Sequence, residues 1–200
     1  MAKNSRNSVP NGARNSVRNS VRIIGGTWRS RVIRFPDASG LRPSPDRVRE
    51  TLFNWLGQDL TGLACLDLFA GSGALGFEAA SRGASSVVML ETAPEAAAAL
   101  RANARLLDAK SWRLAAGDAL EFLRSQHSRQ GGLFDVVFVD PPFASGLVER
   151  VLPLLPGLLA PGARVYVESG EDLVVPEGWQ ILRQGKAGVV RYHLLQKEPI

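Results

Sequence analysis

Residues 65–79 read CLDLFAGSGALGFEA. The stretch begins inside an apolar run, LACLDLF (63–69), that carries a single carboxylate, Asp67. It passes through a glycine-rich turn and continues as a helix expected around 74–82. Gly71-Ser72-Gly73-Ala74-Leu75-Gly76 matches G-x-G-x-x-G, and Glu91 lies twenty residues after Gly71, at the end of the next apolar run. Strand, glycine turn and helix in this order open a βαβ unit, and the glycines let a ligand approach the backbone closely.

Outward from this unit the chain repeats strand and helix. SVVMLE (86–91) reads as a strand and the Ala-rich 94–108 as a helix. WRLAAG (112–117) is a weaker strand before a helix over 118–127, and FDVVFVD (134–140) is an apolar strand before a helix over 146–159. ARVYVES (163–169) is a fifth strand, and 178–183 with 189–196 form a closing antiparallel pair. Apolar strands alternating with helices predict a parallel sheet covered on both faces. The expected fold is therefore α/β and Rossmann-like, a mostly parallel seven-stranded sheet. Ligands in such sheets sit at the carboxyl ends of the strands, where Asp67, Glu91, Asp118 and Asp140 all fall.

The glycine turn and Glu91 suit a dinucleotide or S-adenosylmethionine equally, since both present a ribose to the carboxylate. Two residues favour S-adenosylmethionine. Asp67 repels a pyrophosphate but attracts a cationic methionine end. Asp118, in Gly117-Asp118-Ala119, offers an acceptor to an adenine amine and also suits the N-cap of the following helix. Strand 134–139 then ends in Asp140-Pro141-Pro142-Phe143. The paired prolines fix the backbone and remove two donors. The Asp140 carboxylate and the Pro141 carbonyl become converging acceptors for an exocyclic amine, with Phe143 as a flat face for a flipped base. This pattern names the type of nitrogen attacked, not the base. A nicotinamide-dependent oxidoreductase would account for the glycine turn but not for this segment.

The net charge of +5 is unevenly spread. Residues 1–49 hold eleven Lys/Arg against Asp37 and Asp46, while the remainder holds thirteen against seventeen acids. A basic arm on a mildly acidic body suggests a polyanionic partner. Arg22, Arg29, Arg31, Arg34, Arg42, Arg47 and Arg49 alternate with Trp28 and Phe35, the mixture that grips phosphates and stacks on bases. Residues 1–20 repeat Asn-Ser, with Asn-Ser-Val-Arg twice in succession, and are expected to be disordered. RIIGGTWRSRVIR (22–34) reads as a hairpin with Gly25-Gly26 available for its turn. Asp46 is the expected N-cap of a helix over 47–57, with an apolar stripe of Val48, Leu52, Trp55 and Leu56 and Gly57 as its stop. The expected division is a disordered basic extension (1–21), a hairpin and helix facing RNA (22–57), and a cofactor-binding catalytic domain (58–200). One cysteine and two separated histidines exclude a metal site. No apolar run is long enough to span a membrane, so a soluble, reducing, cytoplasmic setting is expected, and the chain is expected to act as a monomer.

Five segments together resemble the bacterial 16S ribosomal RNA guanine-N2 methyltransferases of the RsmD type: RIIGGTWRSR (22–31), GLRPSPDRVRETLFNWL (40–56), CLDLFAGSGALGFEA (65–79), FVDPPF (138–143) and VYVES (165–169). The resemblance implies methylation of a guanine N2 in 16S rRNA, in the assembled small ribosomal subunit or a late intermediate. By position it puts Asp140, Pro141 and Phe143 at the guanine. It puts Asp67, Phe69, Gly71, Gly73, Glu91, Asp118 and Ala119 around S-adenosylmethionine, with Arg47, Arg49, Glu50 and Asn54 beside the pocket. Two departures stand out. Ser44-Pro45 replaces a common Thr-Thr, a change expected to be neutral in a loop. Residues 1–20 have no counterpart in the family, so Val21 is expected to mark an alternative start.

Overall fold

The computed structural model describes residues 19–36, 44–126, 134–143 and 145–198. The central sheet is built from β3 (Ala64–Asp67), β4 (Ser86–Glu91), β5 (Trp112–Ala116), β6 (Phe134–Val139), β7 (Leu159–Ser169), β8 (Trp179–Ala187) and β9 (Val190–Lys197). Its order is β5-β4-β3-β6-β7-β9-β8. β5 through β7 run parallel, and β9 closes the sheet antiparallel between β7 and β8. The order reverses at β3, between β4 and β6, which opens a crevice beyond its carboxyl end.

Side chains alternate across the pleat and feed two cores. Cys65, Val87, Met89, Val136, Phe138 and Tyr166 point to one face, and Leu66, Val88, Val137, Val139, Val165 and Val167 to the other. On the first face lie α1 (Asp46–Leu56), α2 (Ala74–Ser81) and α3 (Pro94–Leu107); on the second lie α4 (Ala119–Gln126) and α5 (Leu147–Val151). Val21, Ile23, Ile33 and Phe35 from the N-terminal segment belong to the first core together with α1. The boundary expected near residue 57 therefore does not separate two cores.

Most elements sit where periodicity places them, and β4 has the expected bounds. The helix expected over 146–159 does not run that far. Pro153 and Pro156 lack the N–H a helix interior needs, so α5 ends at Val151 and two 3-10 turns, Leu152–Leu154 and Pro156–Leu158, lead directly into β7. Asp46 is not the N-cap of α1. Pro45 occupies that position without a side-chain cap, and the Asp46 carboxylate instead meets Arg49 at 2.6 Å. Gly57 ends the helix at φ +97° as expected.

The N-terminal ribbon starts earlier than its sequence suggests. β1 (Asn19–Arg22) pairs antiparallel with β2 (Val32–Phe35), from Asn19↔Phe35 to Arg22↔Val32, so the last residues of the stretch expected to be disordered are a strand. Gly25-Gly26 does not form a tight hairpin turn. It docks the connection onto the end of α2: a Cβ on Gly26 would lie 1.8 Å from the Ser81 carbonyl oxygen. Thr27 N donates to that carbonyl at 2.7 Å, and Trp28 N to Ser81 Oγ at 2.9 Å. Beneath this contact Glu78, fully buried in α2, accepts from Ile24 N (2.8 Å), Gly25 N (2.7 Å), Arg49 (3.3 Å) and Arg82 (2.8 and 2.9 Å).

Candidate active site

Four strands deliver carboxylates to one edge. Asp67 ends β3, Glu91 ends β4, Asp140 follows β6 and Glu168 lies near the end of β7; Asp118 follows β5 at the same rim. A cavity of about 470 Å³ there is lined by Ser44, Asp67, Phe69, Gly71, Asp140, Pro141, Pro142, Phe143 and Glu168, with Val189 and Val190 from the β8–β9 tip. A second cavity of about 220 Å³ holds Glu91, Asp118 and Ala119. The two meet across Phe69, Gly71, Asp140 and Pro142. Neither has a Lys or Arg in its lining among the described residues.

The glycine turn is shaped by its surroundings. Gly73 caps α2 at φ +81°, where a Cβ would lie 2.6 Å from Leu100 and 2.7 Å from Phe77. Gly71 N donates to Glu91 Oε2 at 2.9 Å and Ala93 N to Glu91 Oε1 at 2.8 Å, which orients that carboxylate into the smaller cavity. Asp118 does cap α4, its Oδ1 accepting from Leu120 N (2.9 Å) and Glu121 N (3.1 Å).

Asp67 is 1% exposed, with Oδ2 accepting from Gly76 N at 3.1 Å and Oδ1 left without a partner. Burial pushes this carboxyl up to about 7, aided by the negative Glu91 and opposed by the N–H groups of Phe69 and Gly76. A buried acceptor with no donor is costly unless a ligand supplies one. A cationic amine meets that need; a pyrophosphate, facing acceptors and no cation, does not.

The catalytic segment is joined to residues that the sequence reading gave no role in the site. The Ser44 hydroxyl donates to Glu168 Oε1 at 2.5 Å and stands 3.3 Å from Asp140 Oδ2. Tyr166 donates to the same Glu168 oxygen at 2.7 Å. Burial raises Asp140 well above the usual carboxylate range, reinforced by Glu168 and Asp67, and burial also raises Glu168. Ser44 thus brings its hydroxyl into the site. Phe143 keeps its ring 46% exposed at the mouth, above Gly170.

The basic residues divide. Arg22, Arg29, Arg34 and Arg47 are exposed, and Arg31 is exposed while donating to the Leu106 carbonyl at 2.6 Å. Trp28 is half-buried against the core. Arg42 lies outside the described residues. Arg49 is a correction: it is 1% exposed, and its guanidinium meets Glu78, Asp46 and the carbonyls of Arg22 and Ser44. A guanidinium spent on interior acceptors cannot grip a phosphate. Arg47, Glu50 and Asn54 are exposed and line neither cleft cavity.

A sheet of this order with an acceptor-lined cleft at its switch point defines a Rossmann-like class I methyltransferase that uses S-adenosylmethionine. The family described as Conserved hypothetical protein 95 matches residues 21–196. Over 183 residues the chain is 45% identical to Ribosomal RNA small subunit methyltransferase D of Escherichia coli K12, covering 89% of this chain and 90% of that protein. The Haemophilus influenzae protein of the same name is 42% identical over 187 residues, covering 90% and 96%. A solved structure of the Escherichia coli protein yhhF, a methyltransferase by description, superposes with a TM-score of 0.79 at 44% identity, over 90% of this chain and 99% of that one. The chain belongs to the ribosomal RNA small subunit methyltransferase D family.

Proposed function

We propose that this chain methylates the exocyclic N2 amine of a guanine in 16S rRNA, within the small ribosomal subunit or a late assembly intermediate. The observation that carries the reading is the meeting of Asp140-Pro141-Pro142-Phe143 with the unpartnered Asp67 Oδ1 in one cleft. S-adenosylmethionine supplies a methyl group already activated on a sulfonium. Asp67 Oδ1 holds the ammonium of its methionine end, Glu91 accepts from the ribose, and Asp118 with Ala119 borders the adenine. Phe69 and Gly71, shared by the two cavities, mark the path between these ends. Asp140 and the Pro141 carbonyl hold the two N–H groups of the amine so that its lone pair faces the methyl, and Phe143 stacks on the base. The chain's contribution is alignment and stabilisation of positive charge developing on the nitrogen. Arg22, Arg29, Arg34 and Arg47 face the RNA backbone, where contacts fix register without reading sequence.

Asp67 makes the cofactor half of this reading measurable. Without ligand its carboxyl titrates near 7, and only the charged form pairs with an ammonium. Ligand binding therefore competes with a proton. S-adenosylhomocysteine affinity should be level above pH 8 and fall about tenfold per unit well below pH 7. Asp67→Asn should bind weakly with a flat profile. Titration calorimetry from pH 5.5 to 8.5 reads both, and a flat wild-type profile contradicts the assignment. S-adenosylhomocysteine, and not NAD, should raise the melting temperature.

A further inference from the structure

In the reading above, Asp140 and the Pro141 carbonyl would hold the amine of guanine, adenine or cytosine alike. The bases differ in the ring atom beside that amine. In guanine it is N1–H, a donor, whereas adenine and cytosine place a ring-nitrogen lone pair there. An enzyme that takes a base out of the stack reads this edge by hydrogen bonds. A second acceptor next to Asp140 would therefore choose guanine.

Glu168 is that acceptor by position. Val139 and Val167 are the last register partners on the parallel strands β6 and β7, and Asp140 and Glu168 directly follow them in the chain. Their side chains meet on one face: Phe138 and Tyr166, two residues before each, share one core while Val139 and Val167 share the other. The Ser44 hydroxyl bridges the two carboxyls. Glu168 is 3% exposed, yet lines the cavity with Asp140. Its Oε1 takes both the Ser44 and Tyr166 hydroxyls, which fix the side chain. Its Oε2 accepts from no described residue, so a buried side chain brings one uncommitted oxygen to the pocket wall. Burial holds both carboxyls above their usual range, and a ligand bringing two adjacent donors lets both ionise together.

We propose that Glu168 Oε2 accepts the N1–H of the target guanine while Asp140 holds the neighbouring amine, so that two adjacent acceptors select guanine over adenine and cytosine. This rests on the guanine-N2 reading above. With adenine or cytosine in the pocket a ring lone pair would face an ionised Glu168, a repulsive contact that a desolvated site does not screen, so such a base binds only where Glu168 takes up a proton. Ser44 and Tyr166 are positioning residues in this arrangement, and the Ser44-Pro45 segment contributes to base choice through Glu168.

The test uses the full chain and small subunits reconstituted with either guanine or 2-aminopurine at the mapped position. 2-Aminopurine keeps the 2-amine but carries a lone pair at N1. The wild type should favour guanine by about tenfold or more in kcat/KM, the effect of one hydrogen bond to a charged group. Glu168→Gln keeps an oxygen for Ser44 and Tyr166 and turns an NH2 toward the base, so its preference should vanish or reverse toward 2-aminopurine. Its S-adenosylhomocysteine affinity should stay unchanged. Glu168→Ala, which also strips Ser44 and Tyr166 of their acceptor, should lose more activity on guanine than on 2-aminopurine. Equal losses on both bases, or an unaltered preference in both variants, would overturn the assignment and leave Glu168 as a structural residue. A wild type that methylates no guanine N2 would overturn the underlying reading as well, and that outcome is visible before any variant is made.

Discussion

Replacing Asp140 with Ala should lower the rate of methyl transfer about 100-fold or more while leaving S-adenosylhomocysteine affinity within about threefold. The magnitude is that of removing one preorganised electrostatic contact from a transition state. The asymmetry follows from the geometry. Asp140 sits on the wall shared with Ser44 and Glu168, whereas the orphaned acceptor that fits the cofactor's ammonium belongs to Asp67. Removing the Asp140 carboxyl also removes a like charge from the neighbourhood of Asp67, so cofactor binding is not expected to suffer. Single-turnover kinetics and calorimetry on the same preparation separate the two effects. A loss of affinity equal to the loss of rate would make Asp140 a cofactor ligand.

The second large effect is on stability. Glu78→Ala deletes the acceptor for two backbone N–H groups and two guanidinium groups, all converging on a side chain with no exposure. Breaking a buried ion pair from one side costs about 3–5 kcal/mol, a large part of the 5–15 kcal/mol typical of a domain. The same carboxylate ties the Ile24-Gly25 connection to α2 and α1, so its loss should free the N-terminal ribbon first. Urea unfolding should show the lower midpoint, and hydrogen exchange should show the ribbon amides losing protection ahead of the sheet. A cost below about 1 kcal/mol would mean the ribbon is held mainly by Val21, Ile23, Ile33 and Phe35 in the core. Arg49→Ala should act in the same direction, since it removes the opposite charge.

Where periodicity carried the signal, the sequence was sufficient. The bounds of β4 and the order of strands and helices follow from apolar runs alone, and the carboxylates at the strand ends mark the cleft. Where the structure departs from the sequence, the causes are specific. Gly25-Gly26 reads as turn chemistry because a glycine pair does not reveal whether it serves a turn or a close approach; the partner that demands it, the Ser81 carbonyl, is 55 residues from Gly26. By composition Arg49 belongs with the phosphate-binding arginines. Its spacing said otherwise, because Arg49, Leu52, Phe53 and Leu56 fall on one helix face and all four are buried. Glu78 carried a comparable hint, being the one charge in a short Ala-rich helix with no polar side. Ser44 and Glu168 had no local signal. Only the pairing of β6 with β7 and the packing of the segment before α1 bring them to Asp140.

The most direct measurement follows the methyl group. Small subunits lacking the modification are incubated with the chain and methyl-tritiated S-adenosylmethionine, and their 16S rRNA is digested to nucleosides. Label should appear in N2-methylguanosine at a single position and be absent with Asp140→Ala. Label in N6-methyladenosine or N4-methylcytidine, or none in RNA at all, would contradict the assignment of a guanine amine to the Asp140–Phe143 pocket.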